Sequence, residues 1–255
     1  MYDLSDKTIL VTGASKGIGA ATVKSLVEAG ANVIAHYNSD FSGVQKVLNS
    51  AEGRNIIAVQ ADFGQGDETE ALWRKAVEWR GSIDVLINNA ATIQFSGGID
   101  DTDYAWRDTW ERTLQVNVVS PCSLMRRAVQ HYLERGGGTI ISISSWAAQR
   151  GPGTPALMTY SASKAALLAA TKAIARNYAK DNILAYSIAP GIVRTRMSEE
   201  FAAATVGEDA VTASLAMNEW VPPSDLATLA TFLSTGTCRH LTGATLDVNG
   251  ASYIR

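Results

Sequence analysis

The sequence predicts an α/β fold: one doubly wound domain in which a seven-stranded parallel sheet is flanked by helices. Three observations predict it. Short β-branched, apolar runs alternate with stretches of helical periodicity along nearly all of the 255 residues. The runs are almost continuously apolar, as in Val85-Leu86-Ile87 and Ile140-Ile141; strands covered on both faces need that pattern. No repeat, low-complexity tract or linker divides the chain, and a chain of this size can bury roughly three quarters of its unfolded surface. The expectation is a single domain over residues 1–255.

Taken in order, strands are expected at Thr8–Val11, Asn32–Ala35, Ile56–Gln60, Ile83–Ile87, Thr139–Ile143, Ile183–Ile188 and Thr245–Val248. Helices are expected at Gly17–Ala29, near Val44–Ala51, at Glu68–Trp79, across Trp106–Arg135 with a break near Pro121, and at Thr159–Ala179. Residues 194–223 depart from the rhythm. Apolar residues from Met197 to Trp220 are scattered there among small and acidic ones, which reads as short helices on a surface excursion, the usual form of a substrate lid.

Composition narrows the function. Hydrophobic residues make up 46% and charged residues 18%, as in a globular protein. A net charge of −3 gives no electrostatic reason to expect nucleic acid or an anionic membrane. No apolar run approaches the length of a membrane span. The polar start, Met1–Lys7, shows no leader pattern, and two cysteines are too few for a disulfide framework. The expected location is cytoplasmic. His36, His131 and His240 lie far apart and form no ligand spacing with Cys122 or Cys238, so no metal site is expected.

Two motifs carry chemistry. Thr12-Gly13-Ala14-Ser15-Lys16-Gly17-Ile18-Gly19 joins the first strand to the first helix. Glycines there allow a tight turn and close backbone approach to a pyrophosphate. The helix N-terminus adds free N–H groups and a positive dipole end. Its position marks a Rossmann-type, dinucleotide-binding domain. Tyr160-Ser161-Ala162-Ser163-Lys164 places a tyrosine and a lysine four residues apart, on one face of a helix. Ketone reduction needs a hydride on carbon and a proton on oxygen. A free tyrosine, of pKa about 10, is a poor acid–base at neutral pH. A nearby ammonium lowers that pKa toward the working range.

Together, the Thr-Gly-x-x-x-Gly-Ile-Gly loop, Asn88-Asn89-Ala90-Ala91, Tyr160-Ser161-Ala162-Ser163-Lys164 and Pro190-Gly191-Ile192-Val193-Arg194-Thr195 resemble the short-chain dehydrogenase/reductase family, classical type. The resemblance spans essentially the whole chain, and at its most specific is similar to the 3-oxoacyl-(acyl-carrier-protein) reductases. It implies a catalytic set of Asn117, Ser145, Tyr160 and Lys164. It implies a cofactor set of Gly13, Ser15, Lys16, Gly17, Ile18 and Gly19 in the loop, with Asp62 and Phe63 beside the adenine. Asn89 and Ala90 would border the adenosine ribose. Tyr160 and Lys164 would lie by the nicotinamide ribose, and Pro190, Gly191, Val193 and Thr195 by the nicotinamide. Two departures stand out. Ala91 replaces the family's glycine, and its methyl is expected to alter the loop. The family's serine position relative to the tyrosine falls at Trp146–Ala147. Aligning on the strand end selects Ser145 and implies a two-residue insertion within Gln149–Met158.

The cofactor expectation is NADP, with NAD the alternative. The second strand ends Ala35-His36-Tyr37-Asn38-Ser39, with no acid before Asp40 to bind a ribose 2′-hydroxyl or repel a 2′-phosphate. Lys16, His36, Asn38 and Ser39 are candidates to contact that phosphate. The substrate side is expected between Ile93–Gly98, Trp146–Met158 and Met197–Trp220, largely apolar, with Arg150 and Arg194 at its margin. The expected substrate is a carbonyl or alcohol, with a 3-oxoacyl thioester first and a sugar, polyol or other secondary alcohol as alternative. Arg107, Arg112, Arg126 and Arg127 are candidate carrier-protein contacts. A silent cofactor-binding regulator is the reading of another class. A homo-oligomer, with a tetramer favoured, follows from the resemblance.

Overall fold

The computed structural model describes residues 2–51, 55–95 and 98–255. Seven strands form the sheet: β1 (Thr8–Val11), β2 (Asn32–Tyr37), β3 (Ile56–Gln60), β4 (Val85–Asn88), β5 (Gly138–Ile143), β6 (Ile183–Pro190) and β7 (Thr245–Val248). They pair in parallel, in the order β3-β2-β1-β4-β5-β6-β7. The chain winds outward from β1 in one direction and then, from β4, in the other. The crevice at this reversal, beyond the carboxyl ends of β1 and β4, is where doubly wound sheets bind ligands.

Alternation of side chains along each strand builds two cores. Ile9 and Val11 join Val85, Ile87 and Ile141 in one layer, while Leu10, Leu86 and Ile140 face the other. The first layer is closed by α1 (Gly17–Glu28), α2 (Phe41–Ser50) and α10 (Pro223–Ser234). The second is closed by α3 (Glu68–Arg80), α5 (Ser120–Arg135) and α7 (Met158–Tyr178). The helix α10 has no counterpart in the sequence reading, nor does the single turn α6 (Ala147–Arg150).

The long helical region is α4 (Asp103–Leu114) running through a π turn at Gln115–Val119 into α5. The expected break near Pro121 is a widening upstream of the proline, not an interruption. Pro121 has no N–H to give to the carbonyl four residues back, that of Asn117. A wider turn is one way for the backbone to absorb that loss. Ala91, where the family has glycine, is not in the left-handed region: among the described residues only Asn182, Asn218 and Ala251 are non-glycines at positive φ. The loop after β4 therefore places no left-handed demand on Ala91.

Between β6 and α10 lie α8 (Arg196–Ala204) and α9 (Glu208–Ala213). They share a third, small cluster with Trp146, Ala147, Ala202, Leu215 and Trp220, against which Tyr160 and Ile192 pack.

Candidate active site

A cleft of about 880 Å³ opens at the carboxyl ends of the strands. Its floor is the β1–α1 loop, where Gly13 sits at φ +68°. A Cβ at Gly13 would come within 2.8 Å of Ala90 Cα, so the loop after β4 is pressed onto it. Asn89 fixes that contact. Its Nδ2 donates to Thr12 O at 2.8 Å and Gly13 O at 3.0 Å, while the N–H groups of Asn89 and Ala90 donate to Thr12 Oγ1 at 3.0 Å each.

The start of α1 carries no side-chain cap. Asp40, Thr102 and Thr195 cap α2, α4 and α8 with side-chain oxygens. Lys16, at the corresponding position of α1, provides no side-chain acceptor, and the first turn holds no acid. The first N–H groups of a helix need acceptors. Here they face the cleft, lined by Ser15, Lys16, Gly17 and Ile18.

All the other expected cofactor residues but one line the same cleft: Asn38, Asp62 and Phe63 at one end, Asn89 and Ala90 beside the loop, and Tyr160, Lys164, Pro190, Gly191, Val193 and Thr195 toward the other. Gly19 does not. A Cβ there would sit 2.1 Å from Gly13 O, so this glycine lets helix and loop pack rather than facing the cleft.

His36 requires a correction. It is 1% exposed, and both ring nitrogens are engaged. Nδ1 accepts the Gly13 N–H at 3.1 Å and Nε2 meets Ala61 O at 3.0 Å. Burial depresses its pKa to about 4, against a smaller opposing effect of the Ala61 hydrogen bond. The ring is thus neutral at pH 7 with its proton on Nε2, and has no donor left for a phosphate. Asp40 does border the cleft. Its carboxylate accepts from Gly43 N–H at 2.8 Å and Ser42 Oγ at 3.1 Å. The Gly43 bond, with Lys16 and Lys46 nearby, holds it below the usual carboxylate range.

At the far end, α7 brings Tyr160 and Lys164 to the tip of β5. Lys164 is 2% exposed and donates from Nζ to Ile143 O at 2.8 Å. Its Nζ lies 5.8 Å from the Tyr160 ring centre. Burial lowers its pKa to about 8. Burial raises that of Tyr160, and a hydrogen bond from Ser145 partly offsets the rise. Ser145 Oγ also accepts the Ala147 N–H at 3.1 Å. The two neighbouring serines turn elsewhere: Ser144 donates to Lys164 O at 3.1 Å, and Ser142 accepts from Thr171 at 2.8 Å. The Gln149–Met158 stretch folds as the end of α6, a loop and one 3-10 turn at Pro155–Leu157. Ser161 Oγ ties it back by donating to Ala147 O at 2.6 Å.

Asn117 is buried in the π turn and does not line the cleft. Its Oδ1 accepts Thr92 N–H at 2.8 Å, and its Nδ2 donates to Thr92 O at 2.9 Å and Ser163 Oγ at 3.0 Å. It locks the loop after β4 to the helix carrying Tyr160. Thr92 and Ser163 were not singled out from sequence; their partners lie 25 and 46 residues away, and no local pattern marks them.

The chain matches the short chain dehydrogenase family over residues 7–205. It belongs to that family. This short-chain dehydrogenase is 34% identical to 3beta-hydroxysteroid dehydrogenase 1 of Eggerthella lenta, over 100% of this chain and 97% of that protein. It is 29% identical to the 3-oxoacyl-[acyl-carrier-protein] reductase FabG of Staphylococcus aureus, over 97% and 98%. Among solved structures, a short-chain dehydrogenase from Burkholderia cenocepacia in complex with NADP superposes with a TM-score of 0.86 at 31% identity, covering 98% of both chains.

Aromatic contacts gather near the expected substrate side. Phe95 stacks on Phe201 at 5.3 Å, joining the loop after β4 to α8; residues 96–97 of the expected Ile93–Gly98 wall lie outside the described residues. Arg150 lies over Trp146 at 4.2 Å, and Arg194 over Trp220 at 4.4 Å while pairing with Glu208. Arg112 pairs with Asp108 and Arg127 with Glu70. Among the described residues no group of three or more His, Cys, Asp or Glu could hold a metal, and no helix is long and apolar enough to cross a membrane.

Proposed function

We propose that this short-chain dehydrogenase interconverts a ketone and a secondary alcohol with NADP(H), using Tyr160 as the acid–base. The observation that carries this is one cleft with an uncapped helix N-terminus at one end and Ser145, Tyr160 and Lys164 converging at the other. The residues fit a dinucleotide: α1 has no side-chain cap on its first N–H groups, which leaves them for a pyrophosphate, and the glycines let the loop after β4 and Thr195 close onto the phosphate loop. The bound nicotinamide would supply or accept the hydride.

The chain's own groups handle the oxygen. Ser145 is held by the Ala147 N–H and directed at Tyr160, so a substrate oxygen that enters between them would take over its hydroxyl proton and be oriented by it. Tyr160 gives that oxygen a proton in reduction and takes it back in oxidation. Lys164, charged below about pH 8, favours the phenolate and eases that transfer. Asn117 acts at a distance, holding Thr92 and the Tyr160 helix in register.

NADP is supported at the Lys16 end of the cleft. Lys16, Asn38 and Ser39 border it there, Arg196 beside them is paired with Glu200, and the carboxylate of Asp40 is committed to capping α2. The Burkholderia relative's NADP complex points the same way. For the substrate we favour an apolar ketone, a 3-oxoacyl thioester first, given the Phe95–Phe201 wall and the FabG relative. Arg112 and Arg127 are spent on acids of their own surface, which weakens them as a carrier-protein patch. A flat apolar secondary alcohol is the second reading, favoured by that same wall and by the hydroxysteroid dehydrogenase relative. The proposal includes residues 194–223 as a lid over one domain, and a homo-oligomer, with exposed Tyr104, Val119 and Leu133 on α4, the π turn and α5 available for contact.

The test is oxidation of NADPH and NADH against acyl thioesters, steroids, sugars and cyclic diketones. Turnover is expected with NADPH and an apolar ketone. Tyr160→Phe should lower kcat by roughly a hundredfold or more and leave NADPH binding intact. Lys16→Ala should weaken NADPH more than NADH. A strong NADH preference overturns the cofactor reading, and unchanged Tyr160→Phe turnover overturns the mechanism.

A further inference from the structure

His36 takes no part in the chemistry above, yet it is wired into both halves of the cofactor cleft. We propose that His36 is a positioning residue for the dinucleotide: its neutral ring clips the phosphate loop to the adenine-side turn, so that the two cradles hold one fixed spacing. This rests on the dinucleotide reading of the cleft.

The wiring is specific. Gly13 lies beyond the last residue of β1, and its N–H goes to His36 Nδ1 at 3.1 Å. The next amide, that of Ala14, goes to the His36 carbonyl at 2.8 Å. One residue therefore holds two consecutive amides of the glycine-rich loop. On the other side, Nε2 donates to Ala61 O at 3.0 Å, beyond the last residue of β3. Asp62 and Phe63 follow immediately and line the cleft. The ring also stacks on Phe63 at 4.3 Å with planes 8° apart. An apolar side chain could fill this volume, but would leave the Gly13 N–H and the Ala61 carbonyl without partners. Burial keeps the ring neutral, which preserves Nδ1 as an acceptor.

The two nitrogens can be tested separately. An asparagine Oδ1 reaches the place of Nδ1, and a glutamine Nε2 that of Nε2. His36→Asn retains the acceptor for Gly13; His36→Gln retains only the donor for Ala61; His36→Phe retains only the ring. Kd for NADPH, from quenching or energy transfer on titration, is expected to rise roughly tenfold in His36→Asn and in His36→Gln, each of which breaks one end of the clip, and at least as much in His36→Phe, which breaks both. At saturating NADPH, kcat should change less than Kd. Equal Kd values in wild type and all three variants, even with lowered melting temperatures, overturn the proposal, because a merely space-filling histidine gives that result. Absence of NADPH binding by wild type overturns the dinucleotide reading instead. Where a variant does not fold, hydrogen exchange on the wild type decides. The Gly13 amide is expected to exchange as slowly as that of Leu10 in β1 without cofactor, and fast exchange overturns the clip.

Discussion

Lys164 shows how a single side chain carries a pH signature. Burial alone brings its ammonium down to about 8, within reach of ordinary assay conditions. Reduction consumes a proton, and Lys164 assists Tyr160 only while charged. In the reductive direction kcat is therefore expected to be flat at lower pH and to fall as pH rises through about 8. A pH–rate profile at saturating NADPH and ketone checks this, and a rate that climbs through that range would contradict it. The Tyr160–Lys164 pair was legible in the sequence because helix periodicity alone puts the two side chains on one face. His36 was not. Its two partners, Gly13 and Ala61, lie 23 and 25 residues away, and the sequence reading placed it toward a phosphate that its occupied nitrogens cannot serve. Ser145 stood between these cases: the strand end selected it, but only the fold shows Ser142 and Ser144 turned to other partners.

At the scale of elements, the β1–α1 junction is the most constrained piece of the molecule. Gly19 lies in the first turn of α1, and a Cβ there would meet Gly13 O at 2.1 Å and Asn89 Nδ2 at 2.6 Å. The first is backbone and cannot swing away. Gly19→Ala is thus expected to displace the loop, raising Kd for NADPH by roughly tenfold or more and lowering the melting temperature. Gly153→Ala, where an added Cβ meets nothing within 4 Å, is the matched control and should change neither. Calorimetry with an NADPH titration on both variants tests this; an unaffected Gly19→Ala would show that the loop has slack the geometry denies. Strands were readable because doubly covered strands are apolar throughout. The helix α10 was not read, because its residues Pro223–Ser234 follow a polar excursion and carry no charged face after Asp225 to reveal a period. The π turn was likewise hidden: Pro121 announces a lost hydrogen bond, but not where the helix absorbs it.

For the whole molecule, the buried His36 ties stability to pH. Its pKa in the folded chain is about 4, below the ordinary histidine value of 6.5. The unfolded chain therefore binds this proton first as pH falls, and folding is penalised. The contribution is complete above pH 6.5, is lost progressively between 6.5 and about 4, and changes no further below that. Two and a half units correspond to about 3 kcal/mol, a large share of the 5–15 kcal/mol that is typical of a folded domain. The depressed pKa of His131, caused first by its partial burial, adds to the slope with the same sign. Asp40 extends the trend: its carboxylate is held low by the α2 cap, so protonating it at more acid pH also costs stability. Urea unfolding of the cofactor-free chain is expected to give a free energy that falls steadily from pH 6.5 toward 4. In His36→Asn the fall should be shallower by most of the His36 contribution, since the titrating ring is gone. Parallel wild-type and His36→Asn curves would show that the ring is not held neutral, and would remove the acid-sensitive link between the loop and the rest of the fold.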